Sequence, residues 1–256
     1  MPADQIGSAH PLQILLAEDE AVTRLAARVL LERAGHRVTA VEDGPAAVAA
    51  AAESSFDLIL MDLGLPGLPG DEAVRAIRRQ PGGGAPRILM LTASATGEGR
   101  DRCAGCGADG MLVKPLRLDA LSAALAGGAW ATTPEAEPSA EQTFDERAIG
   151  TMREMLPAAR VAELIDKTAA VLRQHGQTLD EALKSGDRAT AGAMAHKIAG
   201  VSGQYGCVAL RRAARALEKE LEGPGADAGG QDGGGLAGTL APALAFLERC
   251  AAAARG

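Results

Sequence analysis

Asp62 closes an apolar run, Leu58-Ile59-Leu60-Met61-Asp62, and His196 lies in Ala195-His196-Lys197-Ile198-Ala199-Gly200. A carboxylate and an imidazole can each attack phosphorus and carry a phosphoryl group. The pair therefore points to a phosphoryl group handed between Asp62 and His196, about half the chain apart. Such chemistry is mostly positioning and neutralisation of charge, so each residue needs a constellation around it.

The elements that must position Asp62 are legible between Leu12 and about Ala126. Short apolar runs at Gln13–Ala17, Arg37–Val41, Asp57–Met61, Arg87–Leu91 and Gly110–Val113 read as five buried strands. They alternate with helical patterns over Ala21–Arg33, Gly44–Glu53, Asp71–Arg79, Gly99–Ala104 and Leu118–Leu125. That alternation predicts an α/β fold with a doubly wound parallel sheet, both faces covered.

Open parallel sheets place their sites at the carboxyl ends of strands. Those ends carry Glu18 and Asp19, Asp62, Thr92 and Lys114. Three carboxylates brought together repel one another unless a cation sits among them. A hard divalent ion, Mg²⁺ (or Mn²⁺), suits that oxygen-only set and an incoming phosphate. Asp62 is then the expected nucleophile, Thr92 a hydroxyl donor to a phosphoryl oxygen and Lys114 a compact positive charge.

The motifs ILLAEDE, LILMDLGLPGLPG, ILMLTAS and MLVKP, in this order, resemble the receiver domain of response regulators over residues 12–126. The resemblance implies a flavodoxin-like fold, with Glu18, Asp19, Asp62 and the backbone carbonyl of Gly64 holding the metal. It also implies Asp62 as phosphoacceptor, Thr92 and Lys114 as sensors of the phosphoryl group, and a cis peptide at Lys114–Pro115. One departure is Met111, three residues before Lys114, where such domains usually carry a switching Tyr or Phe. Output is then expected to depend less on an aromatic switch than on phosphoryl traffic.

Residues 127–142 (GGAWATTPEAEPSAEQ) lack periodicity and read as a linker. Beyond it the β-branched runs disappear. Val161, Leu164, Ile165, Thr168 and Leu172 recur at helical spacing, followed by Leu179 and Leu183. Asp187 is a candidate N-cap for a helix to about Tyr205, and further helices are expected over Val208–Leu221 and from Leu236 to Leu247. The second half is predicted to be an all-α antiparallel four-helix bundle.

On a helical wheel of about 100° per residue, Met194, Ile198 and Val201 group together and His196 falls on the opposite side. Gly200 and Gly203 share its face, as if space were cleared for a partner. AHKIAGVSGQYG resembles the motif of the histidine phosphotransfer (HPt) domain, the resemblance extending over residues 143–254. It implies phosphorylation of His196 on one ring nitrogen, with the other held by a side chain from the next helix; Glu218 is the best-placed candidate. The family commonly carries a lysine three positions after the histidine, where this chain has Ala199. Lys197, about 100° round the helix, is the nearby positive charge, and either it substitutes or transfer is slower.

Composition narrows the alternatives. A formal net charge of -7 and interleaved Lys/Arg argue against nucleic acid. With only 2% aromatic residues the cores are expected from Leu, Val, Ile and Ala. The chain shows no run of about 18 apolar residues, and Met1–Pro11 does not read as a signal peptide, so no membrane segment and a cytoplasmic location are expected. Cys103-Ala-Gly-Cys106 ends a helix rather than starting one after a first strand, so structural thiols are expected there rather than a redox or zinc site.

No glycine-rich ATP lid or nucleotide box is visible. The leading expectation is a phosphorelay protein. A partner histidine kinase loads Asp62, and His196 relays the group to or from the aspartate of a receiver in a downstream response regulator. The chain also resembles the receiver-plus-HPt tail of a hybrid sensor kinase. The alternatives are a phosphorylation-gated interaction switch and a phosphate sink.

Overall fold

The computed structural model describes residues 11–92, 98–126, 142–222 and 233–255. The chain divides into two compact units, Met1–Glu135 and Ala136–Gly256. Almost all of the expected linker, residues 127–141, lies outside the described residues.

The first unit alternates β1 (Gln13–Ala17), α1 (Ala21–Arg33), β2 (Arg37–Val41), α2 (Gly44–Glu53), β3 (Leu58–Asp62), α3 (Gly70–Arg79), β4 (Arg87–Thr92), α4 (Glu98–Gly105), β5 (Gly110–Val113) and α5 (Leu118–Leu125). All strand pairs are parallel and the order is β2-β1-β3-β4-β5. The period of two sorts the apolar strands into two cores. Leu15, Ile59, Met61, Ile88, Met90 and Met111 pack on one face, and Ile14, Leu16, Leu58, Leu60, Leu89 and Leu112 on the other. This is the doubly wound sheet expected from the alternation, in the flavodoxin-like order that the receiver resemblance implies. The order reverses at β1 and β3, so the crevice at their carboxyl ends is the place for a site. Local chemistry supports the boundaries: Asp43 caps α2 by accepting from the Ala46 N–H at 2.7 Å, with Pro45 in the first turn.

The second unit is all-α: α6 (Glu146–Met155), α7 (Ala158–Ser185), α8 (Arg188–Gln204), α9 (Val208–Glu222) and α10 (Gly233–Arg255). α7 packs on α8 and α10, and α9 on α8 and α10, closing a four-helix bundle with α6 against α7. Asp187 caps α8, accepting from the Thr190 N–H at 3.0 Å and the Thr190 hydroxyl at 2.7 Å. The core stripe of α8 is Ala191, Ala195, Ile198 and Ser202, continued by Tyr205 just past its end, each at most 1% exposed.

Two features differ from the sequence expectation. Met194 is half-buried rather than central to the core; small residues at 191 and 195 let α8 turn that side inward instead. Also, among the described residues one helix, Gly235–Arg255, is long and apolar enough to cross a membrane by length and composition. Four leucines (Leu236, Leu240, Leu244 and Leu247) and a run of alanines give it that character, and the same helix packs on α7 and α9.

Candidate functional site

The parallel register brings the strand-end residues together. Glu18 follows β1, Asp62 ends β3, Thr92 ends β4 and Lys114 follows β5. Thr92 and Val113 are ladder partners, and the Lys114 N–H donates to the Thr92 carbonyl at 2.7 Å. Glu18, Asp62, Thr92 and Lys114 are each at most 5% exposed, and Asp19 is half-buried. The Lys114 ammonium lies 2.7 Å from both Asp62 Oδ2 and Glu18 Oε2. Gly64 stands beside Asp62, its N–H donating to Oδ1 at 3.3 Å. The Lys114–Pro115 peptide is cis.

One buried ammonium thus bridges two buried carboxylates, with that of Asp19 close by. Burial, with Asp62 and Asp19 adding repulsion, pushes Glu18 up to about 8 against the opposing pull of Lys114. Burial alone would lower the lysine, but Asp62 and Glu18 outweigh it and hold Lys114 above the ordinary lysine range. Glu18, Asp19 and Asp62 can each turn an oxygen within 4.8 Å of the others. An all-oxygen, acidic, compact set of this kind fits a hard divalent cation. Among the described residues it is the one such group with three potential ligands.

Arg24, unremarked in the sequence, holds this turn. Its Nη1 donates to the carbonyls of Glu18 at 2.6 Å and Asp19 at 2.9 Å, and Nη2 reaches Glu42 at 3.2 Å. An arginine just over one helical turn after an acidic pair was the available signal. Met111 is 1% exposed and packed in the sheet core. Cys103 and Cys106 are buried, and burial pushes Cys103 up to about 11, which keeps its thiol protonated and inert at neutral pH.

In the bundle, His196 Nδ1 lies 2.7 Å from Glu218 Oε1 on α9. A carboxylate can only accept, so Nδ1 carries the proton and Nε2 is the nitrogen with a lone pair. The His196 side chain is 22% exposed rather than fully open, and its Nε2 is shielded. α9 packs against this side of α8, which a wheel drawn for one helix does not show. Lys197 and Gly200 are both half-buried on α8. Gly203 has a different role from the one expected: a Cβ there would lie 3.1 Å from Cδ and Nε of Arg211. The space it leaves is filled by α9, not cleared for a visitor.

Residues 14–126 match the response regulator receiver domain family and residues 163–253 the Hpt domain family. Among curated proteins, the sensor histidine kinase AruS of Pseudomonas aeruginosa is 37% identical over 218 residues, covering 84% of this chain and 22% of that protein. The virulence sensor protein BvgS of Bordetella parapertussis is 31% identical over 252 residues, covering 93% of this chain and 20% of that protein. The chain therefore spans about a fifth of the length of these relatives. Among solved structures, the receiver domain of a sensor histidine kinase from Pseudomonas aeruginosa PAO1, described with a magnesium ion in its active-site cleft, is 39% identical. That match covers 45% of this chain and 95% of that one, with a TM-score of 0.43.

Fold, site and family matches define a two-component phosphorelay signalling protein. The chain belongs to this class as a response regulator receiver domain followed by an Hpt domain, an arrangement shared with hybrid sensor kinases.

Proposed function

We propose that a phosphoryl group enters or leaves this chain at Asp62 and at His196, and that the chain relays it between a histidine kinase and a receiver aspartate of a downstream regulator. In loading, an Asp62 carboxylate oxygen attacks the phosphorus of a donor phosphohistidine. The P–N bond breaks and its electron pair returns to the donor ring. Lys114 lies where it can neutralise a phosphoryl oxygen, and Thr92 can donate its hydroxyl to another. Glu18, Asp19, Asp62 and the Gly64 carbonyl would hold Mg²⁺ or Mn²⁺, which supplies charge neutralisation to the phosphoryl oxygens when bound.

In transfer, the lone pair of His196 Nε2 attacks the phosphorus of an aspartyl phosphate. The P–O bond breaks and its pair leaves with the carboxylate. The ring, still protonated on Nδ1, becomes cationic, and Glu218 offsets that charge. The step runs equally in reverse. Nε2 must be uncovered first, which a side-chain movement on α8 or α9 can accomplish.

The observation that carries the relay reading over a simple interaction switch is the 2.7 Å pairing of His196 Nδ1 with Glu218. It orients the ring and fixes the tautomer that a phosphoacceptor needs. The test is transfer of label from a histidine kinase and radiolabelled ATP, with Asp62→Asn and His196→Gln chains alongside. Loss of acceptance in the first and loss of onward transfer in the second are expected. Onward transfer that survives His196→Gln defeats the relay.

A further inference from the structure

The motif around His196 lacks its usual lysine, and position 199 is alanine. On an α-helix, positions 196, 199 and 203 share one side, a turn apart. Two contacts set the register of α9 against that side of α8. His196 meets Glu218 at 2.7 Å, and Gly203 faces Arg211 at 3.1 Å from its Cβ position. The residue intervals are the same on both helices, first three and then four: 196, 199, 203 on α8, and 218, 215, 211 on α9. The numbers run in opposite directions, so the helices are antiparallel here. Both rise about 1.5 Å per residue. Arg215 therefore stands opposite Ala199, one turn from the histidine.

Burial agrees with that placement. Ala199 is 1% exposed, so its small side chain is covered by neighbours. Arg215 is half-buried and its Nε is shielded from solvent. The register thus puts Arg215 beside the ground that a lysine at 199 would occupy.

We propose that Arg215 supplies from α9 the positive charge that the motif's lysine supplies from α8. Its guanidinium donates hydrogen bonds to oxygens of the phosphoryl group on His196 Nε2, and the planar fork matches two oxygens at once. No proton moves to or from Arg215. The P–Nε2 bond forms as the P–O bond to the donor carboxylate breaks, and the arginine neutralises the oxygens throughout. Lys197 lies about 100° round α8 from His196, away from this row. Gly203 belongs to the same device, because a side chain there would push Arg211 and disturb the α9 row.

The inference rests on His196 being the phosphoacceptor, and the experiment separates the two claims. The full chain carrying Asp62→Asn is treated with phosphoramidate, and phosphohistidine is followed by phosphate-affinity gel and ³¹P NMR, with thermal unfolding recorded for each variant. Adding Arg215→Gln is expected to slow loading on the order of tenfold to a hundredfold. Arg215→Lys keeps the charge and should stay within about threefold of the parent. Adding Ala199→Lys to Arg215→Gln should recover loading, since the charge returns from the other helix. If that double variant does not fold, the comparison of Arg215→Lys with Arg215→Gln decides. Parent-rate loading by Arg215→Gln overturns the proposal, as does an Arg215→Lys chain as slow as Arg215→Gln. Parent-rate labelling of a His196→Gln chain overturns the phosphoacceptor assignment instead.

Discussion

Gly70 opens α3 directly against the backbone of Asp62, the proposed phosphoacceptor. Its N–H donates to the Leu63 carbonyl at 3.0 Å. A Cβ at this position would stand 1.9 Å from the Asp62 carbonyl oxygen, 2.8 Å from the Asp62 carbonyl carbon and 3.1 Å from Leu63 Cα. Side-chain carbons essentially never approach closer than 3.0 Å, so Gly70→Ala requires a shift of about 1 Å between α3 and β3. The obstacle is main chain inside a sheet, not the end of a flexible side chain. Overpacking of this kind costs about 1–3 kcal/mol, which for a unit of this size lowers Tm by roughly 4–12 °C. The shift falls on Asp62 itself. A displacement of about 1 Å at a reacting group costs on the order of a hundredfold in rate. The assay is acetyl phosphate loading of Asp62, read on a phosphate-affinity gel, with thermal unfolding followed by circular dichroism. Gly84→Ala is the control, because Gly84 is exposed and nothing lies within 4 Å of its Cβ position. A Gly70→Ala chain that unfolds and loads like the parent refutes the argument that this contact positions Asp62.

Two further outcomes follow from charged side chains outside the acceptor cluster. Arg24→Gln removes the donors to the Glu18 and Asp19 carbonyls. Divalent-ion affinity should fall about tenfold, while Arg24→Lys retains most of it; calorimetric titration with Mg²⁺ measures this, and equal affinity for all three chains would count against a clamping role. Asp71 accepts from Arg75 at 3.0 Å and from Arg102 at 2.5 Å. Burial alone would raise its pKa, but the two guanidiniums outweigh that and hold it below the usual carboxylate range. A depressed folded pKa means stability present in full above the unfolded value of about 3.9 and lost as pH falls through the folded one. The urea midpoint of the parent should exceed that of Asp71→Asn at pH 7, and the gap should close on acidification; a gap independent of pH would remove Asp71 as its source.

The clustering of Glu18, Asp19, Asp62 and Lys114 is readable because parallel strands buried on both faces are continuous apolar runs, and the residues just beyond them gather at one sheet edge. The sequence pattern ends β3 at Met61, but Asp62 pairs with Leu91 in the ladder, so the acceptor carboxylate belongs to the strand and inherits its rigidity. α6 shows no clear apolar period in the sequence: among its described side chains, two, Ile149 and Met152, are in the core. α7 reads as two stripes because Arg173-Gln174-His175-Gly176 interrupts the large apolar residues, yet it is one helix of 28 residues. Arg24, Gly70 and Arg211 act on main chain or on an adjacent helix, and their partners are set by how elements dock. Glu218 is named as a candidate through the HPt resemblance, whereas its 2.7 Å contact depends on the docking of α9.

The two sites meet the same electrostatic demand with opposite resources. The receiver cleft is over-supplied with negative charge: of its three clustered carboxylates, Glu18 and Asp62 share the ammonium of Lys114, so an added cation would ease the entry of a dianionic phosphoryl group. In the proposed step the attacking imidazole of His196 becomes cationic on phosphorylation, which Glu218 offsets, and the charge on the phosphoryl oxygens calls for a cation. In this chain α8 does not provide one three residues after the histidine, and the register of α9 brings Arg215 to the vacant turn. On the proposed roles, a phosphoryl group moving from Asp62-type to His196-type sites would exchange a metal-assisted environment for one built from protein charge alone. Raising Mg²⁺ should then stabilise the group on the aspartate without a matching effect on the phosphohistidine, so divalent-ion concentration biases the direction in which such a relay runs.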